Sequence, residues 1–218
     1  MSDPRDEFIS KVLLSESQVL SFDGFIFLCG GRIDVSSPRP VSVRESLRRQ
    51  LAKRADLEAR VRLAESYNDW SAEGHYGDLL VFEDHIAQLS AVIVLVLESP
   101  GSLAELGLFS ALPDFREKLL VFVSNHHYAE SSFVRLGPIK YLEDTLGNRV
   151  ECYPWIKIDF GREVFDHEEL AKIEDELMQS LLDRLTSKRR RHLFKKSLAP
   201  SGSSDMRTSW SHERLDNY

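Results

Sequence analysis

Glu98 and Glu105 are the side chains whose type and spacing most directly invite chemistry. They bracket Ser99-Pro100-Gly101-Ser102 and lie just behind an unbroken apolar run at residues 91–97. Such a run is the pattern of a strand buried on both faces in a parallel sheet, and it stops at residues that open a helix. Ser99 or Ser102 can cap the orphan N–H groups, Pro100 fits a first turn, and Glu105 falls within about one turn of the helix start, where the dipole favours a carboxylate. The prediction is a strand–turn–helix edge with a carboxylate pair at the carboxyl end of a central strand, where open α/β sheets bind ligands. Gly101 and Ser102, at the helix start, offer backbone N–H groups to a hydroxyl or phosphate.

The elements that position this edge can be read along the chain. Residues 5–20 form a short amphipathic helix outside the sheet. A first strand over 22–29 ends at Gly30-Gly31, where the backbone can approach a ligand without an intervening side chain or simply turn tightly. The loop 32–42 carries Arg32 and Arg39, available to a phosphate or merely solvated. A helix over 43–55 turns Leu47 and Leu51 inward and a basic face outward, comprising Arg44, Arg48, Arg49, Lys53 and Arg54. Alternation over 59–66 suggests a short strand near an edge. The loop 67–78 holds two tyrosines and Trp70, either folding over a pocket or tucking into the core. A helix over 79–89, containing Glu83, feeds the central strand.

Beyond the central unit, 118–124 is a fourth strand, followed by Asn125-His126-His127-Tyr128. Either histidine can reach a leaving base as an acid, or both are simply exposed. Two adjacent histidines cannot both face one metal with helix-face spacing, and no Cys/His cluster is visible, so no metal is expected. Gly137-Pro138 leads into a helix over 139–146. Residues 149–158 are the last strand, with Pro154 placing it at an edge or bulge. Asp166 caps a helix over 167–185 whose apolar stripe suits sheet cover or a dimer face. The expected fold class is α/β, a Rossmann-like (flavodoxin-like) parallel sheet of about five strands flanked by helices, over residues 1–186.

Composition narrows the function classes. With 218 residues, 42% of them hydrophobic, the chain can bury a substantial core. Residues 188–218 carry a net +5 while the preceding 187 carry −12, so the body is not a general nucleic-acid binder and the basic, then polar tail 187–218 is the natural contact for any phosphates. That tail is expected to be disordered. Cys29 and Cys152 suit reduced core positions, no stretch reaches membrane-spanning length, and the cytoplasm is expected.

The order Gly101-Ser102-x-x-Glu105-x-Gly107 behind a buried strand resembles the signature of the nucleoside 2-deoxyribosyltransferase family. More narrowly, Phe-Leu-Cys-Gly-Gly at 27–31, the block at 98–110, and Gly137-Pro138 before a helix are similar to the deoxyribosyltransferase-like effector proteins of retron anti-phage systems. The likeness spans roughly residues 22–145. It implies a nucleoside deoxyribosyltransferase-like fold with Glu105 in the place of the nucleophilic glutamate. It puts Cys29, Gly30 and Gly31 in a substrate loop, gives Glu98, Gly101 and Ser102 contacts to substrate, and gives Glu83, three residues before Ile86, a part in holding sugar and base. Asp84 is the neighbour that can take that part instead.

The resemblance further implies N-glycosidase chemistry on NAD or a related nucleotide, as substrate rather than cofactor, used to stop infected cells. It implies restraint by a retron reverse transcriptase and its RNA–DNA product, and a possible homo-oligomer. Longer members of that group continue into a DNA-binding-like domain, for which this chain has no room. Breaking an N-glycosidic bond passes through an oxocarbenium-like sugar, which needs a carboxylate beneath the anomeric carbon. A nicotinamide starts cationic and departs neutral, so it needs no strong general acid. Where Glu83 or Glu98 crowds Glu105, like-charge repulsion raises one pKa.

One departure separates the two resemblances. Transferases of the wider family commonly have an acidic residue close before a Gly-Thr segment, whereas this chain reads Glu98-Ser99-Pro100-Gly101-Ser102, the form shared with the retron effectors. Two rivals stand beside the glycosidase reading. A nucleotide phosphoribohydrolase of the cytokinin-activating type has a fuller Gly-Gly-x-Gly turn than the lone Gly101. A non-catalytic Rossmann-like sensor would bind a nucleotide and signal through an oligomer interface.

Overall fold

Segments rich in β-branched and aromatic residues pair in parallel to form the centre of the molecule. A computed structural model describes residues 23–63, 65, 79–147 and 149–197. The expected helix over 5–20, the loop 67–78 and the last part of the tail lie outside the described residues. The main sheet comprises β1 (Phe25–Cys29), β2 (Val61–Arg62), β3 (Ser90–Val96), β4 (Leu119–Ser124) and β5 (Val150–Tyr153). Their order is β2-β1-β3-β4-β5, all parallel. This is the flavodoxin-like 2-1-3-4-5 arrangement, whose switch point lies between β1 and β3. Every residue of β3 is buried, which is why its sequence runs apolar without alternation.

Helices cover both faces. On one side α1 (Val43–Ala52) and the long α8 (His167–Ser197) bury Leu47, Leu51, Leu170, Leu177 and Leu181 against Ile26, Leu28 and Val94. On the other, α3 (Leu79–Leu89), α4 (Pro100–Ala111) and α7 (Lys140–Leu146) bury Ile86, Leu106, Phe109 and Leu142 against Phe27, Ile93, Leu95 and Val121. Shorter helices α2 (Ala55–Glu58), α5 (Pro113–Arg116) and α6 (Asn125–Ala129) fill the connections. A π-helical turn at Arg135–Ile139 precedes α7 and contains Pro138, whose missing N–H removes a helical hydrogen bond and widens the turn. No helix of the described residues is long and apolar enough to cross a membrane.

Three expectations are corrected here. The strand read over 149–158 is two strands: it breaks at Pro154-Trp155, Trp155 is fully buried, and β6 (Ile156–Asp159) leaves the main sheet to pair antiparallel with β7 (Arg162–Phe165). Phe160 and Gly161 make the turn, both with positive φ (46° and 73°), the geometry of a two-residue hairpin loop. The closing helix starts at Asp166 as expected, its Oδ1 accepting from the N–H groups of Glu168 and Glu169 at 3.0 and 3.2 Å, but it runs to Ser197 through the basic stretch rather than stopping near 185. Arg44, read as part of an outward basic face, is buried.

Candidate functional site

The turn from β3 into α4 builds the site. Ser99 is the N-cap: its Oγ accepts from Ser102 N–H at 3.1 Å, and Ser102 Oγ accepts from Ser99 N–H at 3.1 Å, a reciprocal capping box. Ser102 is buried and also donates to Ser99 O at 2.8 Å. It therefore secures the helix start, and its own N–H is already used. Pro100 has no N–H, which leaves exposed Gly101 as the first-turn donor without a partner among the described residues.

The cap directs Glu105, one turn on, toward the end of β1. It is half-buried, and the Cys29 thiol donates to its carboxylate. Glu83, buried on α3, faces the same point. Burial first, and then the like charge of Glu83, push the Glu105 carboxyl up to about 7, against the opposing pull of Arg44 and the Cys29 hydrogen bond. Burial also raises the Glu83 carboxyl. The Cys29 thiol lies well above its ordinary range, because it is buried and faces Glu105, so it stays a proton donor and not a nucleophile. Two carboxyls near the switch point, both raised by burial, form a group suited to meeting a cationic or developing cationic centre.

Glu98 is held by three backbone N–H groups. Its Oε1 accepts from the N–H groups of Gly31 at 3.2 Å and Arg44 at 2.9 Å, and its Oε2 accepts from Val43 N–H at 3.0 Å. It thus anchors the start of α1 and the β1 loop to the end of β3, and burial outweighs these bonds to raise its carboxyl above the usual range. Gly30 and Gly31 leave no room for a Cβ at this junction. A Cβ on Gly30, where φ is +150°, would meet Val96 Cβ at 3.0 Å; one on Gly31 would meet Glu98 Cδ at 2.9 Å. Gly31→Ala is expected to displace the Glu98 carboxyl and cost about 1–3 kcal/mol in urea unfolding.

Arg44 and Glu65 were missed from sequence. The Arg44 guanidinium donates to Leu28 O at 3.0 Å and Gly31 O at 3.2 Å, and pairs with Glu65 Oε2 at 2.7 Å. It brings one positive charge to bear on Glu105 and Cys29. The available signal was its position in the first turn of a helix, where the dipole disfavours a cation unless it is held elsewhere. Arg32 pairs with Asp34 at 3.4 Å on the surface, and Arg39 is exposed. The structure brings together Glu105, Glu83 and Cys29. It assigns Glu98, Gly30, Gly31 and Ser102 to the frame that holds them.

A 2-1-3-4-5 parallel sheet covered by helices on both faces defines the class as a doubly wound α/β protein. The family model described as STM3845 retron effector protein matches residues 40–205, and the chain belongs to this retron effector family. It is 36% identical over 117 residues to the Escherichia coli protein named "Retron Ec86 putative ribosyltransferase/DNA-binding protein", a match covering 54% of this chain and 36% of that one. The Escherichia coli Ec73 counterpart, named in the same terms, is 31% identical over 118 residues, covering 53% of this chain and 37% of the relative. The chain therefore matches little more than a third of the length of these relatives.

Proposed function

We propose that this retron effector is an N-glycosidase that cleaves the ribosyl–nicotinamide bond of NAD or the equivalent bond of a related nucleotide. The observation that carries the reading is Glu105: a half-buried carboxyl at the switch point, paired with Glu83, hydrogen-bonded by Cys29 and raised to about 7. The ribosyltransferase in the names of the Ec86 and Ec73 relatives supports the same bond type. In the proposed reaction the C1′–N bond breaks and its electron pair leaves on the nicotinamide nitrogen, giving neutral nicotinamide. The ionised Glu105 carboxylate meets the positive C1′ as nucleophile or as electrostatic partner. Water then supplies the new oxygen on C1′ and gives up one proton, which the carboxyl pair can accept. The net change is NAD and water to ADP-ribose, nicotinamide and a proton. Gly101 N–H at the helix start offers a contact to a sugar hydroxyl or phosphate. In the cell, the activity would be restrained by the retron reverse transcriptase with its RNA–DNA product and released on phage infection.

Purified chain incubated with NAD should release nicotinamide and ADP-ribose in equal amounts; intact NAD together with cleavage of another nucleotide would move the substrate, and no glycosidic cleavage of any nucleotide would overturn the reading. Because Arg44 favours the ionised form of Glu105, Arg44→Met should move the acidic limb of the rate profile to higher pH and lower turnover several-fold at pH 7. A uniform loss at all pH values would leave Arg44 only its hydrogen bonds to the β1 loop.

A further inference from the structure

At the end of β4, His126 and Glu130 meet Glu163 from the β6–β7 hairpin, with His127 beside them. His126 Nε2 lies 3.3 Å from Glu163 Oε1 and 3.8 Å from Glu130 Oε1, and His127 Nε2 lies 3.1 Å from Glu163 Oε2. Donor atoms of His126, Glu130 and Glu163 all fall within 4.8 Å of one another. His126 and Glu130 share one side of α6 through their i,i+4 spacing, and Glu163 arrives from β7, 36 residues beyond His127. The adjacent histidines divide as their spacing requires: His126 joins the group, while His127 meets the other oxygen of the Glu163 carboxylate and lies outside it.

Donors held about 2.0–2.1 Å from a tetrahedral zinc ion stand about 3.3 Å apart; His126 Nε2 stands 3.3 Å from Glu163 Oε1 and 3.8 Å from Glu130 Oε1. The charges point the same way. Among the described residues, the ion-pair partners of Glu130 and Glu163 are these histidines, so two carboxylates converge without a lysine or arginine between them. The hairpin carrying Glu163 also needs a tether. It is two-stranded and separate from the main sheet, with Phe160 99% exposed at its tip, and such hairpins are marginal alone. At its base Asp166 N–H donates to Trp155 O at 2.8 Å and Lys157 pairs with Asp166 at 3.3 Å; nearer the turn, the histidine–Glu163 contacts hold it to α6.

We propose that His126, Glu130 and Glu163 bind one divalent ion of the zinc class, which clamps the β6–β7 hairpin onto α6. Imidazole nitrogen and carboxylate oxygen are the donor set such an ion takes.

The test is calorimetric titration of zinc chloride into the full chain, freed of any polyhistidine tag and stripped with chelator. One saturable equivalent is expected, with a zinc-dependent rise in the thermal midpoint. Glu163→Gln and His126→Ala should each weaken binding at least tenfold, while Glu105→Gln should bind zinc like the wild type. Absence of a saturable equivalent would overturn the proposal. So would binding unchanged in both Glu163→Gln and His126→Ala, or binding lost in Glu105→Gln, which would place the ion at the carboxyl pair instead. None of these outcomes depends on glycosidase activity.

Discussion

Glu105→Gln is expected to lower nucleotide cleavage on the order of 10³-fold or more while leaving KM nearly unchanged, since the amide keeps the shape and loses the charge that acts in the transition state. The same substitution should stabilise the fold above neutrality. Glu105 titrates at about 7 in the folded protein against an ordinary 4.5. Between those values the folded chain binds more protons than the unfolded chain, so the wild type loses stability as pH rises through the window. A neutral amide in place of the carboxyl carries no such penalty. Urea unfolding should show the variant more stable than wild type at pH 8 and no more stable at pH 4. Lost turnover with gained stability separates a catalytic carboxylate from a misfolded mutant. In a nucleotide sensor without catalysis, Glu105→Gln would change affinity alone.

Glu98→Ala is expected to be the most destabilising single change near the site, costing about 3–5 kcal/mol. Three backbone N–H groups, those of Gly31, Val43 and Arg44, lose their acceptor at once. A part-buried donor left without a partner costs about 1–3 kcal/mol, and the three are not additive. Glu98→Gln should fall between, because its amide nitrogen faces donors at one of the two oxygen positions. The midpoint and slope of urea unfolding check both. A loss below about 1 kcal/mol for Glu98→Ala, together with a raised KM in Glu98→Gln, would return Glu98 to the substrate.

The parts of this molecule that were legible from sequence are those whose cause is local. The apolar run became β3 because both its faces are covered, and Ser99 with Pro100 opened α4 because cap chemistry acts within one turn. Glu105 followed from both. Glu98 was recognised as a site-edge residue without these partners, since they lie 54 to 67 positions away and only the folded β1 loop brings them near. Arg44 was placed by helical periodicity on an outer face; the free carbonyls at the end of β1 drew it in. The β6–β7 hairpin was hidden by a strand-like run across Pro154, although Gly161 between two strand-forming segments carried the turn signal. Convergence of His126 and His127 on Glu163 depends on that hairpin and was equally out of reach.

The most direct measurement is nicotinamide release and NAD loss in cells expressing the chain, wild type beside Glu105→Gln, alone and with the neighbouring retron genes. Rapid NAD loss in the wild type, absent in the variant and suppressed by the neighbours, is the expected result. Equal NAD loss and equal toxicity in wild type and Glu105→Gln would contradict a glycosidase built on this carboxylate.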